Sequence, residues 1–75
     1  MDNIQNIKLW LSNDQGLYNR LVAYARHAEH PTYLEFVNTN DLAGWNTPDG
    51  HPWLSDQVTK SLVDLNWFVA DHADN

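Results

Sequence analysis

Four histidines, ten acids and a scatter of hydroxyls are the groups in this 75-residue chain that could do chemistry. His27 and His30 stand three positions apart with Glu29 between them, a spacing at which two imidazoles near a helix C-terminus can share one metal ion. A zinc site needs three or four protein ligands, and the others would have to come from Asp49 and His51 or from Asp71 and His72. Nothing in the spacing demands that convergence. His-Ala-Glu-His is also shorter than the arrangement that sets two histidines one turn apart on a helix face. A histidine beside the negative end of a helix dipole explains the pair without an ion, so no metal and no cofactor is assigned.

The nucleophile candidates are Ser12, Ser55, Ser61 and the threonines, and none lies in a Gly-x-Ser-x-Gly elbow or a Ser-x-x-Lys arrangement. There is no glycine-rich phosphate loop. Asp71 and Asp74 pair up in a tail open to water, without the burial or charged neighbour that turns a carboxyl into an acid or base at neutral pH. The expectation is a chain that is not an enzyme.

Charge narrows the partners. Eight Asp and two Glu against Lys8, Arg20, Arg26 and Lys60 give a formal charge of −6, and four scattered cations cannot track a phosphate backbone. Direct nucleic-acid binding is therefore not expected. An acidic surface suits solubility, a basic partner, or mimicry of nucleic acid before a protein that binds it. The opening Met1-Asp2-Asn3 carries no basic segment, and no apolar run is long enough for a signal peptide or a membrane span. A cytoplasmic protein with no membrane partner is expected.

The elements that would position these groups are helical. A chain this short buries only about 60% of the surface its unfolded form exposes, and with no Cys it has no disulfide to offset a thin core. Four Trp, three Tyr and two Phe supply bulk instead. Ser12 or Asn13 followed by Asp14 and Gln15 reads as a helix start. Beyond it Leu17, Leu21, Tyr24 and Ala28 interleave with Tyr18, Val22 and Ala25 on one arc of a wheel. Pro31 ends that helix, and Thr32 with Glu35 has the spacing of a capping box for the next, which carries Tyr33, Leu34 and Val37 and stops by Gly44. Thr47-Pro48-Asp49-Gly50 reads as a type I turn within a loop.

A last helix from Pro52 or Ser55 to Asp71 or His72 has Val58, Leu62, Leu65 and Val69 as its core stripe and Asp56-Lys60-Asp64 as an i,i+4 charge ladder. At 100° per residue Val63, Trp67 and Ala70 fall together on the side away from that stripe. Residues 4–11 fit either a helical turn or an alternating strand. The sum is an all-α fold: one domain over 1–75, a small three-helix bundle (about 13–29, 32–43 and 53–72) with a short helical or extended lead-in over 4–11.

Leu9-Trp10-Leu11-Ser12-Asn13-Asp14-Gln15-Gly16-Leu17-Tyr18, taken with Val63-Asp64-Leu65-Asn66-Trp67-Phe68-Val69-Ala70, resembles a family of small uncharacterised proteins of phages and plasmids. The resemblance covers about a third of the chain and departs from the family in the His-rich middle. It implies a genomic setting in which small acidic proteins bind and block a host protein, and no catalytic residue or ligand.

Two functional expectations follow. In one, the chain is a non-catalytic protein-binding module, an inhibitor of a host protein, with Val63, Trp67 and Ala70 ringed by Asp56, Asp64 and Asp71 as its contact face. In the other, the same stripe closes a two-fold homodimer. Trp45 and Trp53 flank the turn, where they either cap the core or stand out as further contact anchors.

Overall fold

The computed structural model describes residues 2–74, which form five α-helices, a closing 3₁₀ turn and no strand. The lead-in is a full helix, α1 (Asn3–Asn13), opened by the Asp2 carboxylate accepting the Gln5 N–H at 2.8 Å. Its buried residues Asn3, Asn6, Ile7 and Leu11 recur at helical spacing, and Leu9, which a strand would align with Ile7 and Leu11, is exposed. Asp14 then does two jobs. Its backbone N–H closes α1 on the Trp10 carbonyl at 2.9 Å, and its side chain opens α2 (Gln15–His27) by accepting the Leu17 N–H at 2.9 Å. An extended residue at Asp14, with ψ 117°, breaks the helical path there and folds α2 back against α1. The helix expected from residue 13 therefore starts two residues later, because one residue serves both ends.

Thr32 caps α3 (Tyr33–Thr39) as the capping-box spacing requires, its hydroxyl accepting the Glu35 N–H at 3.2 Å. The helix ends before the expected residue 43. Asp41 adopts a left-handed φ of 57°, its N–H bonds the Asn38 carbonyl at 3.2 Å, and the Leu42 N–H bonds the Val37 carbonyl at 2.9 Å. That is a Schellman stop with an aspartate in the place usually held by glycine, and Leu42 packs onto the core beyond it.

The single helix expected over 53–72 is broken in two. Ser55 caps a single turn, α4 (Asp56–Thr59), accepting the Val58 N–H at 3.2 Å. The chain tightens through Lys60 and Ser61, where the Ser61 N–H bonds the Val58 carbonyl at 2.9 Å, and then enters α5 (Leu62–Asp71) and the 3₁₀ turn His72–Asp74. The Thr59 hydroxyl bonds back to the Ser55 carbonyl at 2.9 Å, a local competitor that helix interiors tolerate poorly. This break is why the Asp56-Lys60-Asp64 ladder does not form: Asp64 pairs instead with Lys8 of α1, at 2.9 Å.

The core gathers one face of each helix: Ile7 and Leu11, Leu21, Phe36 and Val37, Val58, then Leu65 and Val69, all fully buried. Tyr33 is buried among them with its hydroxyl donating to the Trp53 carbonyl, and burial in this apolar setting raises its pKa strongly. Trp53 itself is 3% exposed and belongs to the core, which removes it from the contact-face residues. The hairpin-like loop turns it inward: Thr47 N–H bonds the His51 carbonyl at 2.7 Å, and Trp53 N–H bonds the Trp45 carbonyl at 3.0 Å. Gly50, at φ 87°, provides the left-handed residue that this tight return needs.

Candidate protein-contact face

Helix α5 is two-sided. Leu65 and Val69 are fully buried, whereas Val63 and Trp67 are 75% and 69% exposed. Together with Pro31, Asn66 and Ala70 they line a shallow open depression of about 300 Å³. Hydrogen bonds hold its lining residue Asn66 and the residues that follow Pro31. The Asn66 side-chain oxygen accepts the Tyr33 N–H at 2.8 Å, tying the first turn of α3 to α5. The Tyr24 hydroxyl accepts the Thr32 N–H at 3.0 Å and donates to the Glu35 carboxylate at 2.6 Å. Partial burial, with the bond to Glu35, raises the Tyr24 pKa, so this hydroxyl keeps its proton and its donor role. Pro31 lies just before these two anchored residues, and the depression is thus held in shape.

The expected acids distribute unevenly around this face. Asp64 and Asp71 lie on α5 itself, three residues before and four after Trp67, both exposed. At those spacings their side chains neighbour the indole on the helix surface. Asp56 is exposed on α4, beyond the break, and so is not on the helical register that would have aligned it with Asp64. Trp45 is 68% exposed but sits in the loop before the turn, and it is not among the residues lining the depression. The stripe therefore comes together as Val63, Trp67 and Ala70, joined by Pro31 and Asn66.

A second cluster was not anticipated. Asn3, Asn6 and Thr47 are buried polar residues at the seam between α1 and the 45–53 loop. Thr47 Oγ1 donates to Asn6 Oδ1 at 2.6 Å, and Asn6 Nδ2 donates to Asp49 Oδ2 at 2.8 Å. The same carboxylate oxygen accepts Trp10 Nε1–H at 2.9 Å, while Asn3 Nδ2 donates to the Pro52 carbonyl at 3.3 Å and Asn3 Oδ1 meets His51 Nδ1 at 3.0 Å. The bonds from Asn6 and then Trp10, with some help from the His51 charge, hold the Asp49 carboxyl below its ordinary pKa. The signal for this seam is legible in retrospect: Asn3, Asn6 and Trp10 fall on one face of α1, and short amides are poor helix formers that need a reason to be there.

Of the groups able to hold a metal or act as nucleophiles, several have structural roles, His27 and His30 excepted. His27 and His30 are exposed at the end of α2, His51 is held by Asn3, and His72 is buried with Nδ1 2.7 Å from the Phe68 carbonyl and its ring edge-on to Tyr18. Among the described residues no three His, Cys, Asp or Glu gather as a metal cluster. Ser55 caps α4 and Ser61 stands at the N-cap of α5. Among the described residues no helix is long and apolar enough to cross a membrane. Comparison with protein-family models, with curated proteins and with solved structures finds no match in any of the three.

Proposed function

We propose that this chain is a non-catalytic protein-binding module whose contact face is the outer side of α5. The observation that carries the reading is the exposure of Val63 and Trp67 beside an open depression one of whose lining residues, Asn66, is tied by a hydrogen bond to α3. An exposed Leu or Val alone means little, but a Trp standing out of a helix beside a preformed hollow has the make-up of a binding anchor. Such an anchor is worth about 2–4 kcal/mol to a complex once a partner excludes water from it. The likeness of the 9–18 and 63–70 segments to small phage and plasmid proteins supports a cytoplasmic setting in which the module inhibits a host protein.

The test is a pair of measurements. The immobilised chain and its Trp67→Ala variant are exposed to host-cell lysate, and a partner is expected that the wild type retains and the variant loses. Retention of the same partner by the variant rejects this face. Sedimentation at micromolar concentration is expected to give a monomer; a stable dimer that Trp67→Ala dissociates would assign the face to a second copy of the chain.

A further inference from the structure

Helix α5 already holds one cation, and the way it does so points to what its outer face binds. Lys8 reaches across from α1, places its ammonium 2.9 Å from the Asp64 carboxylate, and lies 5.7 Å from the centre of the Phe68 ring. An aspartate and an aromatic four residues apart thus make a cation seat from one turn of helix. Trp67 and Asp71 repeat that spacing on the outer side in the reverse order, the ring first and the carboxylate one turn later. Among the described residues no cation lies over Trp67, and the Asp71 side chain makes no hydrogen bond or ion pair. The formal charge of −6 adds a general attraction for a basic partner.

Building on the protein-binding reading, we infer that the α5 face receives an arginine-bearing protein segment, with the guanidinium stacked on Trp67 against Asp71 and a neighbouring apolar side chain in the hollow between Pro31, Val63 and Ala70. Arginine is favoured over lysine because its planar group stacks on an indole and offers paired donors to a carboxylate at the same time. Indole is the strongest of the aromatic faces for a cation, and here it is the exposed one. A second copy of this chain is a poorer occupant. Helix α5 carries no basic residue and Lys8 is already held by Asp64, so two α5 helices set face to face would leave each Asp71 unanswered.

The experiment uses the intact chain, labelled with ¹⁵N, titrated with a capped Leu-Arg-Leu-Arg-Leu peptide and with its neutral counterpart in which citrulline replaces arginine. The arginine peptide is expected to move the Trp67 indole N–H and the amides of residues 63–71, and to bind about three- to fivefold more tightly than the citrulline peptide at low salt. Trp67→Ala should abolish the site, and Asp71→Asn should erase most of the difference between the two peptides. Equal binding of both peptides at Trp67 overturns the arginine inference while leaving the protein-binding reading standing. Shifts scattered over the acidic surface and unaffected by Trp67→Ala overturn it as diffuse charge attraction. Movement of the same signals with protein concentration alone overturns it in favour of self-association. No shift on α5 from either peptide overturns it too, and together with a lysate partner indifferent to Trp67→Ala would remove the face altogether.

Discussion

The two sides of this small domain break the inside-outside rule in opposite directions. Along α1 and the 45–53 loop, polar side chains are buried; along α5, apolar ones are exposed. The difference lies in what each finds nearby. Asn6, Thr47, Trp10 and the exposed Asp49 bond one another, and Asn3 bonds Pro52 and His51, so burying Asn3, Asn6 and Thr47 costs little. No buried polar side-chain atom among the described residues lacks a partner. Val63 and Trp67 stand exposed beside an open hollow, and none of the described residues covers them. The first side is finished as it stands. The second is left open.

Substitutions can set this contrast on firmer ground or break it. The largest effect is expected at Asn6, 3% exposed, where Asn6→Leu would strip Thr47 and Asp49 of a shared partner. A loss of about 1–3 kcal/mol is expected, chiefly from the buried Thr47 hydroxyl left without its acceptor, lowering Tm by roughly 5–20 °C, as read by urea and thermal unfolding. A neutral outcome would mean that the seam is wet and does not hold the loop.

A smaller effect concerns pH. The folded Asp49 carboxyl is held below its ordinary range, so what it contributes is present above about pH 4, the unfolded value, and is lost as pH falls through the lower folded value. Stability measured against pH is expected to fall on the acid side, and Asp49→Asn to flatten that limb. An unchanged acid limb in the variant would assign the loss to other carboxylates.

The smallest effect is expected on the other side. Trp67→Ala should change stability by no more than about 0.5 kcal/mol, because an exposed side chain holds little of the core together. Strong destabilisation would show that the indole braces the fold, and the contrast between the two sides would disappear.

Much of the framework was legible in the residues, and the failures share a cause. Thr32 with Glu35, Ser55 and the Thr47–Gly50 turn act where their local chemistry says they should, because a cap or a turn is settled within four residues. The α5 stripe was legible for the same reason, since it needs only the 100° step of one helix. Residues 4–11 were ambiguous because Ile7, Leu9 and Leu11 satisfy both periods, and the tie is broken by what packs on Ile7 and Leu11. The break at Lys60 and Ser61 was missed because Val58, Leu62 and Leu65 keep helical spacing across it. Asp41 was passed over as a stop because glycine is the usual left-handed residue, and Gly44 stood nearby.

What the sequence by itself determined is short in range: an all-helical chain, its caps and turn, its acidity, and an apolar stripe with Trp67 at its middle. The tertiary structure decided which tryptophan is inside and which is out, because Trp53 is drawn in by the Tyr33 hydroxyl on its carbonyl and by the closed loop, while none of the described residues folds over Trp67. It also decided that Asp64 answers to Lys8 and not to Lys60, and that Asp49 belongs to α1. Those choices join residues 39 to 56 positions apart, where no periodicity reaches and only packing brings the partners together.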